Sequence, residues 1–134
     1  MSPQDIQKRT FDFAVRIVKL VDRLPDALAG REAGKQVFRS GSSVGANVQE
    51  ADGAESKKDF IHKIAIAYKE ARETRYWLGV IRAAILVDDR EVNELWNEAD
   101  ELVRILYAIL KSSRSSLDQP TTKARSVILD RPLS

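Results

Sequence analysis

The sequence predicts an all-α protein: an antiparallel up-down-up-down four-helix bundle that assembles into a ring-like homo-oligomer. Apolar residues recur at three- and four-residue intervals in four successive stretches, the period of a helix face. No stretch alternates apolar and polar residues between turn formers, as a half-buried strand does. With 134 residues, 43% of them hydrophobic, the chain is long enough to bury one core without disulfides or metals.

The first helix opens at Ser2-Pro3, a cap followed by a residue whose fixed φ suits the first turn. Its core stripe is Ile6, Phe13, Ile17, Leu20 and Leu24, and Pro25 ends it. A second stripe, Phe11, Ala14, Val18 and Val21, makes the apolar face wider than one partner helix covers. The second helix carries Gly34, Val37, Gly41, Val44, Val48 and Ala51, small where a bundle helix normally places leucine, and stops at Gly53. Each interior glycine costs about 1 kcal/mol relative to alanine. Gly41 and Gly45 therefore imply close approach of another backbone, within the bundle or between subunits. Ser42, Ser43 and Asn47 are expected to hydrogen-bond across that contact. With Phe11 and Val18, these five are the candidate residues for oligomer contact or close helix packing.

Ser56-Lys57-Lys58-Asp59 has the form of a capping box and opens the third helix. Its seam reads Phe60, Ile64, Ala67, Ala71, Thr74, Leu78, Ile81 and Ile85, with the four-three alternation of coiled-coil-like packing. Asp88-Asp89 places negative charge where the macrodipole of a fourth helix favours it, and Val92, Leu95, Ala99, Leu102, Leu106 and Ile109 repeat the seam. Residues 1–112 are thus expected to form the bundle, and 113–134, rich in serine, threonine and proline, a polar mobile tail.

Composition thins the enzyme classes. There is no cysteine and the only histidine is His62, so thiolate zinc sites, Cys nucleophiles and two-histidine metal motifs cannot be built by one chain. The lack of cysteine fits a cytoplasmic location. No basic-then-apolar leader and no membrane-length apolar run is present. Gly41-Ser42-Ser43-Val44-Gly45 matches G-x-S-x-G, but no strand precedes it, the sole histidine comes before Asp88 rather than after the acid, and the chain is far smaller than such a hydrolase. Asp59 and His62 have carboxylate-x-x-His spacing, which supplies half of a metal site and no more. Glu50, Asp52 and Glu55 read as a solvated helix end; an enzyme using the Glu50 and His62 region is the remote reading. No catalytic residue, metal or cofactor is implied.

The formal net charge is only +2, yet its distribution is uneven: residues 1–87 carry +4, residues 88–110 carry −5 and residues 111–134 carry +3. Arg9, Arg16 and Arg23 recur every seven residues along the first helix, and Lys69, Arg72 and Arg75 line one stretch of the third. Either row is a candidate phosphate track. Interleaved Asp12, Asp22, Glu70 and Glu73 are positioned to neutralise them through pairs three and four residues apart. Arg39, Lys57 and Lys58 add charge near the loop end of the bundle. Tyr68, Tyr76 and Trp77 offer either packing surface or a stacking platform for bases.

The string Arg39-Ser40-Gly41-Ser42-Ser43-Val44-Gly45-Ala46-Asn47-Val48-Gln49-Glu50, followed by Ser56-Lys57-Lys58-Asp59-Phe60 and Glu73-Thr74-Arg75-Tyr76-Trp77-Leu78, resembles the four-helix-bundle proteins encoded in intervening sequences of bacterial large-subunit rRNA genes. The accessory variability determinant proteins of diversity-generating retroelements look like relatives of the same group. The resemblance runs from Phe11 to Leu110 and departs at Ala51, where a glycine is common. It implies a small cytosolic homopentamer without enzymatic activity. In the retroelement relatives it further implies association with RNA or DNA and with a reverse transcriptase.

Residues and resemblance together lead to the expectation of a non-enzymatic scaffold that binds RNA or DNA through Arg9, Arg16, Arg23, Arg39, Lys57, Lys58, Lys69, Arg72 and Arg75. Repetition of a modest basic stripe around a ring would strengthen its field. The alternative is a protein-interaction module that recruits a polymerase or reverse transcriptase without touching nucleic acid.

Overall fold

The computed structural model describes residues 2–84, 86–87 and 90–117. Among these the chain is all-helical, with four helices and no strand: α1 (Pro3–Val21), α2 (Leu28–Asp52), α3 (Lys57–Ala83) and α4 (Arg90–Leu117). Ile85, Asp88, Asp89 and the segment 118–134, which holds most of the expected tail, lie outside the described residues.

The start of α1 is set by a reciprocal capping box. The Asp5 N–H donates to Ser2 Oγ at 3.1 Å, and the Ser2 N–H donates to the Asp5 carboxylate at 3.2 Å. These bonds hold the Asp5 carboxyl below its ordinary range. The helix ends at Val21, ahead of Leu24; a turn in which the Arg23 N–H donates to Leu20 O and the Leu24 N–H to Val21 O carries the chain to Pro25. At α3 the Asp59 N–H donates to Ser56 Oγ at 3.0 Å, so the serine half of the expected box forms.

α2 begins at Leu28, before the glycine-rich pattern that predicts it, and no side chain caps it. Gly30 makes this entry possible: a Cβ there would lie 2.0 Å from the carbonyl oxygen of Pro25. α4 continues to Leu117, past the expected boundary at Ser112, because Ser113 and Ser116 are themselves buried and extend its inner face.

The predicted seams form the core. Phe13, Ile17 and Leu20 of α1, Val37 and Val44 of α2, Leu78 and Ile81 of α3, and Leu95, Leu102 and Leu106 of α4 are wholly buried. On α4, Val103 and Leu110 are buried alongside them, whereas Ile109 is only half-buried. Burial of each such side chain contributes about 1.5–3 kcal/mol. Each helix packs on its neighbours in the chain and α1 also meets α4, while neither diagonal pair approaches closely. Thr74, the polar seam residue, donates to Glu70 O at 2.7 Å and lies 2.9 Å from Ser40 Oγ across the α2–α3 contact, so its burial strands no polar group. No described helix is long and apolar enough to cross a membrane.

Candidate nucleic-acid interface

Close packing and cationic surface are the two features the sequence singles out, and the fold separates them. The small residues of α2 face α1. A Cβ at Gly41 would stand 2.9 Å from Ile17 Cγ1, and one at Gly45 would stand 3.2 Å from the backbone carbon and oxygen of Thr10. The close approach inferred from these glycines therefore lies within the bundle. Ser42, Ser43 and Asn47 do not bridge it. Ser42 Oγ donates to Phe38 O and Ser43 Oγ to Arg39 O, each at 2.7 Å, and Asn47 Nδ2 donates to Ser43 O at 2.9 Å. Their polar groups close on the helix's own carbonyls, the usual competitor for short polar side chains. The pattern around Ser43 is continuous helix, without the strand-to-helix turn of a nucleophile elbow. Phe11 and Val18 point outward with Val15, at 65%, 40% and 38% exposure, and form an apolar strip on the outer side of α1.

The arginine row of α1 turns toward α4. Arg9 makes a two-pronged contact with Glu98, both bonds at 2.7 Å, and reaches Glu101 at 2.8 Å. Arg16 repeats the arrangement on Glu91 at 3.1 and 2.8 Å, with Glu94 at 3.9 Å. Hydrogen bonds donated to Glu98 and Glu91 hold the two guanidiniums above their ordinary range, and the bond from Arg16 holds Glu91 below its own. Arg23, one heptad on, donates to Lys19 O at 3.4 Å. Asp12, expected to neutralise Arg9 and Arg16 locally, pairs with Lys8 instead, at 2.7 Å. For Arg9 and Arg16 the acidic run of α4 takes its place.

The opposite happens on α3. Glu70 and Glu73 point toward α2, where both accept from Arg39, and Glu73 also accepts from Trp77 Nε1 at 3.3 Å. Arg75 is bound by Asp100 at 2.7 Å. Lys69 and Arg72 are left with no carboxylate partner among the described residues. Arg72 lies over the Tyr68 ring, 5.6 Å from its centroid, and Lys57 over Phe60 at 5.9 Å. Lys58, His62, Lys69, Arg72 and Tyr76 are exposed along the outer side of α3, a stripe about 27 Å long at the helical rise.

Eight of the nine cations proposed from sequence, all but Arg23, divide into two sets among the described residues. Arg9, Arg16, Arg39 and Arg75 are held by carboxylates on another helix; Lys57, Lys58, Lys69 and Arg72 are not. Sequence reading missed Trp96 and Gly79. A Cβ at Gly79 would lie 3.5 Å from Trp96 Nε1, and Arg82 covers the same indole at 4.9 Å. The one available signal was a glycine three residues after Tyr76 inside a long helix, a position that needs a reason. The acids near His62 form no centre with it: Glu50 pairs with Lys63 at 3.0 Å and raises its pKa through a hydrogen bond. No group of three metal-ligating side chains occurs among the described residues.

A family model described as 23S rRNA-intervening sequence protein matches residues 3–108. A solved structure from Bacteroides thetaiotaomicron VPI-5482, described as a protein with unknown function from the S23 ribosomal protein family, is 36% identical, with a TM-score of 0.73 over 83% of this chain and 99% of that one. No curated protein matches the chain.

Proposed function

This chain belongs to the 23S rRNA-intervening sequence protein family, and we propose that it is a non-enzymatic cytoplasmic scaffold that binds RNA or DNA through phosphate contacts along the outer side of α3. One observation carries the reading. Lys69 and Arg72 keep their charge unspent because the acids beside them, Glu70 and Glu73, are engaged by Arg39 of α2. Lys57 and Lys58 extend the same surface toward the start of α3. The four α1, α2 and α3 arginines held by carboxylates serve the bundle instead.

The proposal includes an antiparallel up-down-up-down arrangement and a homopentameric ring. The first is supported by contact order, since Ile17 meets Gly41 while Thr10 meets Gly45, and Arg16 meets Glu91 while Arg9 meets Glu98. The second is supported by the uncovered apolar strip of Phe11, Val15 and Val18 on α1, and by Phe38 of α2, itself 45% exposed. Kinship with the retroelement accessory proteins, and with it a reverse-transcriptase partner, belongs to the same proposal.

Gel shifts across a salt series test it. Binding is expected at low ionic strength, with log affinity falling linearly against log salt. Lys69→Glu with Arg72→Glu is expected to lower affinity at least tenfold. Blank shifts at the lowest ionic strength overturn the reading. Undiminished capture of a polymerase by the charge-reversed protein would favour the protein-interaction module instead.

A further inference from the structure

An open groove of about 720 Å³ runs beside the unpaired cations of α3, and its walls differ in kind from the rest of that surface. Lys69 and Arg72 stand on one rim. Next to them Tyr76 is 63% exposed and meets Trp77 in a T-shaped ring contact at 5.3 Å and 79°, so that much of its ring stays open to solvent while Trp77 braces it. The floor is Gly79, beyond which lies the Trp96 indole. Among the described residues Trp96 Nε1 has no acceptor and no buried side-chain nitrogen or oxygen lacks a partner, so this N–H faces the groove's solvent. Any side chain at position 79 would stand in front of it. Of the charged groups that complete the lining, Glu73 is engaged by Arg39 and Trp77, and Arg75 by Asp100, so the groove's free charge is positive.

We propose that this groove takes an unpaired nucleobase of a single-stranded nucleic acid: the base stacks on Tyr76, its flanking phosphates meet Lys69 and Arg72, and a base-edge or phosphate oxygen accepts from Trp96 Nε1. The inference rests on the reading of α3 as a phosphate-contacting surface and sharpens it. Phosphate contacts alone give a single strand no advantage over a duplex, whose charge density is higher. A stacking platform cannot use a base that is already stacked in a helix. The cations therefore set affinity and salt dependence, and Tyr76 sets the preference for strands with free bases.

The test compares an unstructured RNA oligomer with an RNA duplex of the same length, by fluorescence anisotropy on the full chain at low ionic strength. Wild type is expected to prefer the single strand. Tyr76→Ala is expected to weaken single-strand binding about tenfold and leave duplex binding unchanged. Gly79→Val serves as the second variant. Its Cβ meets Trp96 at ordinary contact distance and valine is a better helix residue than glycine, so the fold survives while the indole N–H is screened. It is expected to reduce single-strand binding in the same direction and to abolish quenching of tryptophan fluorescence by the oligomer. Equal binding of both probes, unmoved by Tyr76→Ala and Gly79→Val, overturns this inference and leaves the phosphate-contact reading standing. Binding of neither probe overturns both.

Discussion

The two flanks of α1 hold it in the bundle by opposite means. Toward α2 the helix is met by Gly34, Gly41 and Gly45, which stand against the Val21 side chain, the Ile17 side chain and the Thr10 backbone. Toward α4 the backbones approach at far fewer places, and the gap is spanned by Arg9 and Arg16 reaching Glu98, Glu101, Glu91 and Glu94. A dry seam is unforgiving of added volume because interiors are packed to crystal-like density. A seam of long charged arms tolerates volume but depends on its partners, and each exposed pair contributes little. The difference also assigns charge. An arginine on the α4 side of α1 serves the fold, whereas a cation on the outer side of α3 has no such duty.

The largest effects should come from breaking the dry seam. Gly45→Leu forces a side chain into the Thr10 backbone, and Gly30→Ala sets a Cβ against the Pro25 carbonyl. Each is expected to cost roughly 3 kcal/mol, at the upper end of overpacking penalties. Gly34 is the internal control, since its Cβ would meet Val21 and Leu24 at 3.4 and 3.5 Å, ordinary contact distances. Gly34→Ala should therefore stabilise by about 0.5–1 kcal/mol, the helix-propensity gain alone. Urea denaturation of the three variants checks the ranking. Equal effects would mean that the glycines act through backbone entropy and not through space.

The charged seam is expected to respond less, and selectively. Arg9→Met removes both prongs from Glu98, whose side chain is only 16% exposed, and should cost about 1–2 kcal/mol. Glu98→Gln in the same background should recover part of that loss, with a coupling of about 1 kcal/mol in the double-mutant cycle. Nucleic-acid affinity should stay within about twofold of wild type, against the roughly tenfold or greater loss for Lys69→Glu with Arg72→Glu. An Arg9→Met protein that folds normally but loses binding would place the phosphate track on α1 after all.

Much of this contrast is visible in the sequence, and the hidden part has one cause. Helical period, the caps at Ser2 and Ser56 and the small residues of α2 are local signals, and each appears where it points. Which acid neutralises which arginine is not local. Asp12 sits three residues from Arg9 and four from Arg16 yet pairs with Lys8, while Glu98 lies across the bundle and takes Arg9. The heptad spacing that aligns Arg9 with Arg16 equally aligns Glu91 with Glu98, so two matched rows on different helices were present to be read. Only the packing of α1 beside α4 brings them together. Ser42, Ser43 and Asn47 fail for a related reason: a short polar side chain on a helix always has its own carbonyls in reach.

Acidity separates the two seams with the smallest effect. Glu91 is held below its ordinary 4.5 by its hydrogen bond from Arg16. The unfolded chain therefore binds this proton at a higher pH than the folded one does. The pair contributes its full stabilisation above pH 4.5, and that contribution is lost as pH falls through the depressed value. Arg16 stays charged throughout, so only the carboxylate titrates. Wild type and Glu91→Gln should differ by about 0.5 kcal/mol in urea stability at neutral pH, and the gap should close as the medium is acidified below the ordinary carboxylate range. Gly45→Leu, whose cost is steric, should show a deficit that does not change over the same interval. A glutamate effect that persists in acid would show that Glu91 supports α4 by packing, and the charged flank would then be of the same kind as the dry one.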